Sequence, residues 1–140
     1  VAESAEPARL VNTRRFFMGM TGDESNDGLS LLSPNVEYTV PGRSPLAGVF
    51  RGPAEVGEHC AKLLSATART FEVLKWIDWL VGSTHIAALQ LAQAQGGGMI
   101  YRNHHIYVVE TDRQDLLTKI HIYFENQAEA DGFFSSLRLD

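Results

Sequence analysis

From Thr70 almost to the C-terminus the chain is a succession of long segments in which apolar and polar residues alternate. Four such segments, Phe71 to Val81, Thr84 to Gln95, Met99 to Glu110 and Leu117 to Glu125, are separated by little more than turns. A period of two sends successive side chains to opposite faces, so each segment is a strand that buries one face. Gly96-Gly97-Gly98 and Asp112-Arg113-Gln114-Asp115 supply the turn chemistry of hairpins. Half of each strand must be covered by something else in the chain.

The first half supplies the cover. Ser4-Ala5-Glu6-Pro7 reads as a helix start, with Pro7 in the first turn, where its missing N–H does no harm. Leu10, Thr13, Phe17 and Met20 follow at spacings of three and four, and Gly22-Asp23 ends that helix. Asp27 to Leu32 reads as a short second helix stopped by Ser33-Pro34-Asn35. Val36 to Val40 alternates as a strand closed by Pro41-Gly42, and Arg43 to Arg51 reads as a structured loop. Gly52-Pro53 opens a third helix with Val56, Cys60, Leu63 and Leu64 as its buried stripe, and Ala128 to Leu137 forms a terminal one. Helices first and antiparallel strands afterwards indicate an α+β fold, a curved sheet wrapped around helices.

Composition narrows the functions. At 140 residues, 44% of them apolar, the chain is one domain, residues 1–140, with enough material for a core and an internal cavity. A net charge of -5 lacks the basic footprint of a phosphate-backbone binder, so no nucleic acid partner is expected. Cys60 is the only cysteine, which excludes an intramolecular disulfide and a multi-cysteine zinc site. No apolar stretch approaches the ~20 residues of a membrane span, and Glu3 and Glu6 replace the basic start of a signal peptide. A cytoplasmic protein with no membrane partner is the expectation.

The order of elements, with Gly22-Asp23, the segment VEYTVPGRSPLAGVFRG (36–52), HHIYVVETD (104–112) and KIHIYFENQAEADGFF (119–134), resembles the nuclear-transport-factor-2-like superfamily, in particular its SnoaL-like and ketosteroid-isomerase-like branch. The resemblance covers nearly the whole chain. It implies a cone: a bent, mixed or antiparallel sheet whose concave face, closed by the N-terminal helices, encloses an apolar pocket. It also implies a homodimer through the outer sheet face. The superfamily hosts isomerases, cyclases, hydrolases and binding modules, so the fold does not select among them.

Position by position, the resemblance is instructive. Where ketosteroid isomerases keep an acidic base before the proline that ends the first strand, this chain has Val40, and near their helix-borne tyrosine it has Arg15 and Phe16. The Arg-x-Asp of limonene-epoxide-hydrolase-like members matches Leu89 and Leu91, and the acid of the last strand matches Ile122. Aliphatic groups cannot move a proton. What matches is Asn103-x-His105, similar to the inward Gln-x-His pair of SnoaL-like cyclases.

His105 is thus the candidate acid or base, with a one-residue slip in register placing His104 inward instead. Tyr38 and Tyr107 can donate to a developing oxyanion, and Asn103 can orient His105 or a ligand carbonyl. The apolar lining is expected from Val40, Phe17, Leu89, Leu91, Ile122 and Phe124, together with a tryptophan. Trp76 and Trp79, three apart on one strand, should face opposite sides, Trp76 being the candidate for the pocket. His104 and His105 point apart on their strand and no H-x-H or H-E-x-x-H pattern exists, so neither a metal nor an organic cofactor is expected. Two functions fit: a cofactor-independent cyclase or isomerase acting on a hydrophobic, polyketide-like carbonyl compound through His105 and Tyr38, or a non-catalytic module that binds a small hydrophobic molecule. A protein-interaction subunit without a ligand is a third.

Overall fold

The structure, a computed structural model, describes residues 6–20 and 27–139. Helix α1 (Ala8–Met20) is followed by a 3-10 turn (Asp27–Leu31), strands β1 (Leu32–Val40) and β2 (Gly48–Arg51) and helix α2 (Gly52–Ala66). Strands β3 (Glu72–Val81), β4 (His85–Gly96), β5 (Met99–Thr111) and β6 (Leu117–Phe124) come next, and helix α3 (Gln127–Ser136) closes the chain. The expected Ser4-Ala5 start and Gly22-Asp23 end of the first helix lie outside the described residues.

The six strands form one sheet in the order β2-β1-β6-β5-β4-β3. All neighbours are antiparallel except β1 and β6, which run parallel, so the first strand joins the last and the sheet is mixed. The helices cover one face, which gives the expected α+β cone. Among the described residues, no helix is long and apolar enough to cross a membrane.

Two departures from the sequence reading concern β1 and β2. Strand β1 begins at Leu32 and passes through Pro34, which read as a stop signal. The pairing of β1 with β6 shifts register between Leu32 and Glu37, and a proline is tolerated where a ladder bond is already missing. The segment read wholly as loop contains the four-residue strand β2, paired with β1 from Glu37↔Arg51 to Val40↔Gly48. Four residues are too few to show a period.

Pro53 stands in the first turn of α2, and Glu55 Oε1 accepts the Arg51 N–H at 2.9 Å. Gly97 and Gly98, with φ of 55° and 75°, make the two-residue turn between β4 and β5. The N-cap of α3 is Asn126, whose side chain accepts the Glu129 N–H at 2.9 Å. Asn103 holds that cap in place. Its Nδ2 donates to the Asn126 carbonyl at 2.9 Å, and its Oδ1 accepts the Asn126 N–H at 3.1 Å. Helix α3 is therefore fastened to the middle of β5, with Phe133 and Phe134 buried beneath it.

The turn after β1 is fastened to α3 as well. Gly42 has φ of 113°, the Arg43 N–H donates to Asp131 Oδ1 at 3.0 Å, and a Cβ on Gly42 would collide with the Asp131 carboxylate and the Gln127 amide. Gly42→Ala should therefore destabilise the protein by roughly 2 kcal/mol in urea unfolding, through a strained φ and a displaced helix. Gly132→Ala, in α3 with open space around its Cα, should be neutral or gain up to about 1 kcal/mol. Equal effects at the two glycines would contradict this account.

Candidate interior binding site

Strand β5 builds the site. Tyr101, Asn103, His105, Tyr107 and Val109 are all buried on its concave face, whereas Arg102 and Ile106 on the other face are exposed. His105, not His104, points inward: it is 1% exposed, while His104 Nδ1 meets Glu125 Oε1 on the outer face at 3.0 Å. The register of β5 against β4 and β6 runs unbroken through this stretch, pairing His105 with Gln90 and with Phe124.

Two small compartments lie between the sheet and the helices. The first, about 30 Å³, is walled by Val40, Leu46, His59, His105, Ile122 and Phe124, among others. The second, about 40 Å³, is walled by Phe16, Phe17, Cys60, Leu64 and Gln90. Tyr38, Leu63, Phe71 and Tyr107 line both. Tyr38 and Tyr107 line both compartments and act on each other electrostatically, so a tyrosine pair stands between the two. Each has room for roughly two or three water molecules, and even together they fall short of the about 150 Å³ that admits benzene.

Among the described residues the walls carry no carboxylate, lysine or arginine, and burial keeps their titratable groups neutral. Desolvation, with a smaller contribution from His104, pushes His105 down to about 3. Desolvation, with Lys62 second, pushes His59 down to about 4. Burial raises Tyr38 and Tyr107 well above the ordinary phenol range and Cys60 up to about 12. Among the described residues three buried polar atoms have no partner: His59 Nδ1, Gln90 Oε1 and His105 Nδ1. The other ring nitrogen of His105, Nε2, lies 2.7 Å from the Tyr101 hydroxyl. Among the described residues, no group of three or more His, Cys, Asp or Glu side chains is placed to hold a metal ion.

Of the residues expected at the site, His105, Tyr38, Tyr107, Val40, Ile122, Phe124 and Phe17 line one compartment or both. The others are corrections. Leu89 and Leu91 are on the outer face, opposite Ile106 and His104, because the inward set of β4 is Ala88, Gln90 and Ala92. Asn103 is inward but spends its amide on Asn126 and lines neither compartment. Trp76 lines neither compartment, and it does not oppose Trp79. The break in the β3–β4 register between Trp76 and Asp78 turns both indoles to the same side. They stack with centroids 4.7 Å apart, beside Phe17.

Among the wall residues that escaped the sequence reading, two are polar. Gln90 is 1% exposed and sits one residue from the leucines assigned to the wall. His59 is buried against Phe50, centroids 4.2 Å apart, and Tyr38. Its signal was its spacing, three after Val56 and four before Leu63, which puts it on the covered stripe of α2.

No family model matches the sequence, and no curated protein matches it either. Solved structures do. Bal32a, from a soil-derived mobile gene cassette, superposes with a TM-score of 0.84 at 18% identity, over 91% of this chain and 96% of its own. An NTF2-like protein from Burkholderia xenovorans gives 0.75 at 16% identity, over 91% and 97%. A Mycobacterium tuberculosis protein solved in complex with estradiol-17beta-hemisuccinate gives 0.74 at 17% identity, over 89% and 98%. With likeness of this kind over nearly its whole length, the chain has the nuclear-transport-factor-2-like fold.

Proposed function

We propose that the protein binds a small, uncharged, largely apolar molecule between the concave face of its sheet and its helices. The observation that carries this reading is the set of three buried polar atoms without protein partners, on largely apolar walls that, among the described residues, carry no ionised group. Such walls suit an apolar guest whose few polar atoms meet fixed positions. The similar protein in complex with estradiol-17beta-hemisuccinate supports the apolar part of this reading, its ligand being a steroid with a carboxylate tail. The compartments as they stand are smaller than such a guest, so entry requires the Tyr38–Tyr107 partition to move and the two spaces to merge. Merged, the two spaces still fall short of the volume that admits benzene, so the helices must also draw back from the sheet as the guest enters.

A cofactor-independent isomerase or cyclase acting on a hydrophobic carbonyl compound is the second reading. It is favoured by the gathering of His59, His105, Tyr38 and Tyr107 around one compartment. A proton would have to be taken by an imidazole, because no carboxylate lines the walls. Histidines held down near 3 and 4 are weak bases at neutral pH, and binding therefore stands first.

One experiment separates these readings. Acetophenone and ethylbenzene, added at millimolar concentration to the purified chain, should raise its melting temperature, whereas benzoate should not, since nothing on the walls neutralises an anion. Stabilisation by benzoate alone, or by none of the three, would overturn the binding proposal. Conversion of a small β,γ-unsaturated cyclohexenone to its conjugated isomer, lost in His59→Gln and His105→Gln, would put the enzyme first.

The site needs both histidines neutral, and this has a pH signature. Their pKa values are lower in the folded chain than the ordinary value of 6.5, so below that value the unfolded chain binds more protons and stability falls with pH. The loss begins near pH 6.5 and continues toward pH 4, at about 1.4 kcal/mol per pH unit for each fully titrating histidine. Between pH 7 and pH 5 urea unfolding should show a decline of about 3 kcal/mol, roughly halved in His105→Gln. A flat profile would mean that the two imidazoles are not held neutral.

The proposal includes a homodimer through the outer sheet face, where Ile106 and Tyr123 are exposed and Leu74 and Ile77 extend the apolar surface onto β3. Sedimentation at micromolar concentration should give twice the chain mass, and Ile106→Lys should reduce it to one; a monomeric wild type would remove this element.

A further inference from the structure

We propose that Tyr101 is a positioning residue that locks His105 as its Nδ1–H tautomer, so that the interior offers a hydrogen-bond donor to a ligand's carbonyl-type oxygen. The inference rests on the reading of the interior as a ligand site, and it says which way the hydrogen bond at that site must run.

The direction follows from what surrounds the Tyr101 hydroxyl. Tyr101, Asn103 and His105 are alternate residues of β5 and share its concave face. Asn103 can be oriented in only one way: its oxygen meets the backbone N–H of Asn126, and its nitrogen meets the Asn126 carbonyl. Its oxygen is thus engaged and leaves the Tyr101 hydrogen no acceptor there. Among the described residues the Tyr101 hydroxyl has one hydrogen-bond partner, His105.

The acceptor for that hydrogen is His105 Nε2, 2.7 Å away. A neutral imidazole whose Nε2 accepts carries its hydrogen on Nδ1. The opposite assignment, Nε2–H donating to Tyr101, would leave a buried phenol hydrogen without an acceptor in addition to a bare Nδ1. The ring of Tyr101 cannot turn away to escape the choice, because it is stacked on Phe133 with centroids 4.7 Å apart and is 1% exposed. The unpartnered atom on the wall of the first compartment is thus an N–H, and it calls for an acceptor. Burial, which holds His105 in its neutral form, preserves the arrangement at ordinary pH. His105 then acts on a carbonyl as a hydrogen-bond donor, and it takes no proton from it.

The test is nitrogen-15 NMR of the five histidines in the labelled full chain, with His105 assigned by its absence in His105→Gln. In the free protein at pH 7, His105 should show a protonated Nδ1 and a bare Nε2. Tyr101→Phe keeps the stacked ring and removes the donor, so the signals should move toward the Nε2–H pattern. Acetophenone should shift the Nδ1–H resonance and bind about ten-fold more tightly than ethylbenzene, as one hydrogen bond provides. In Tyr101→Phe that ratio should fall toward one. A wild-type His105 in the Nε2–H form, or a tautomer indifferent to Tyr101→Phe, would overturn the lock. The expected tautomer in a chain that binds neither probe would sustain the lock and count against the ligand site alone.

Discussion

The concave side of the sheet is sealed from water, and every polar atom there must find its partner inside. That constraint orders the structure along β5. At Asn103 the demand is met by the backbone of Asn126, which fastens helix α3. At Tyr101 it is met by His105. At His105 Nδ1 the supply of protein partners ends, and what remains is a requirement that water or a ligand must fill. Fold and site are thus two answers to one demand on the same strand, and the sheet that carries them is held in register by ordinary ladder bonds.

The same seal shapes the chemistry. Relatives by resemblance keep ionisable groups where this chain has Val40 and Ile122, and both aliphatic side chains do face the first compartment. Without a carboxylate to pair with, the two histidines are pressed toward neutrality by desolvation. An interior of this kind recognises shape and hydrogen-bond direction better than it drives proton transfer. A cavity can share its architecture with an enzyme's and still lack the charge that made the enzyme work.

How much of this was legible in the sequence depends on how long each periodic signal ran. Strands β4, β5 and β6 alternate over eight residues or more, so alternation sorted β5 into two sets, and the resemblance pointed the set with His105 inward, with His104 as the alternative. The partner of His105 could not: Tyr101 was four residues away on the same face, but its hydroxyl finds the imidazole only because Phe133 and Phe134 fix its ring. Leu89 and Leu91 were placed by resemblance and were one residue out of register with Gln90, an error that alternation turns into the wrong face. The tryptophans failed for the opposite reason. Alternation was assumed across the irregularity between Trp76 and Asp78, one of two in β3, which cancels it there. His59 was hidden by its neighbour, since a polar residue beside Cys60 on a helix reads as the outer face until the spacing to Val56 is counted.

The irregularity between Trp76 and Asp78 has a spectroscopic consequence. The chain has two tryptophans, and by turning both to the same side it brings them into one stacked pair against Phe17. Indoles this close couple as an exciton, and all of the tryptophan emission arises from a single corner, with Arg14 lying over one ring. Phe17 is also in contact with Tyr107, centroids 4.5 Å apart, so this corner touches the partition between the compartments. Intrinsic fluorescence and near-ultraviolet dichroism of this protein are therefore local optical reports on the rim of its interior, and they say little about the other end of the sheet.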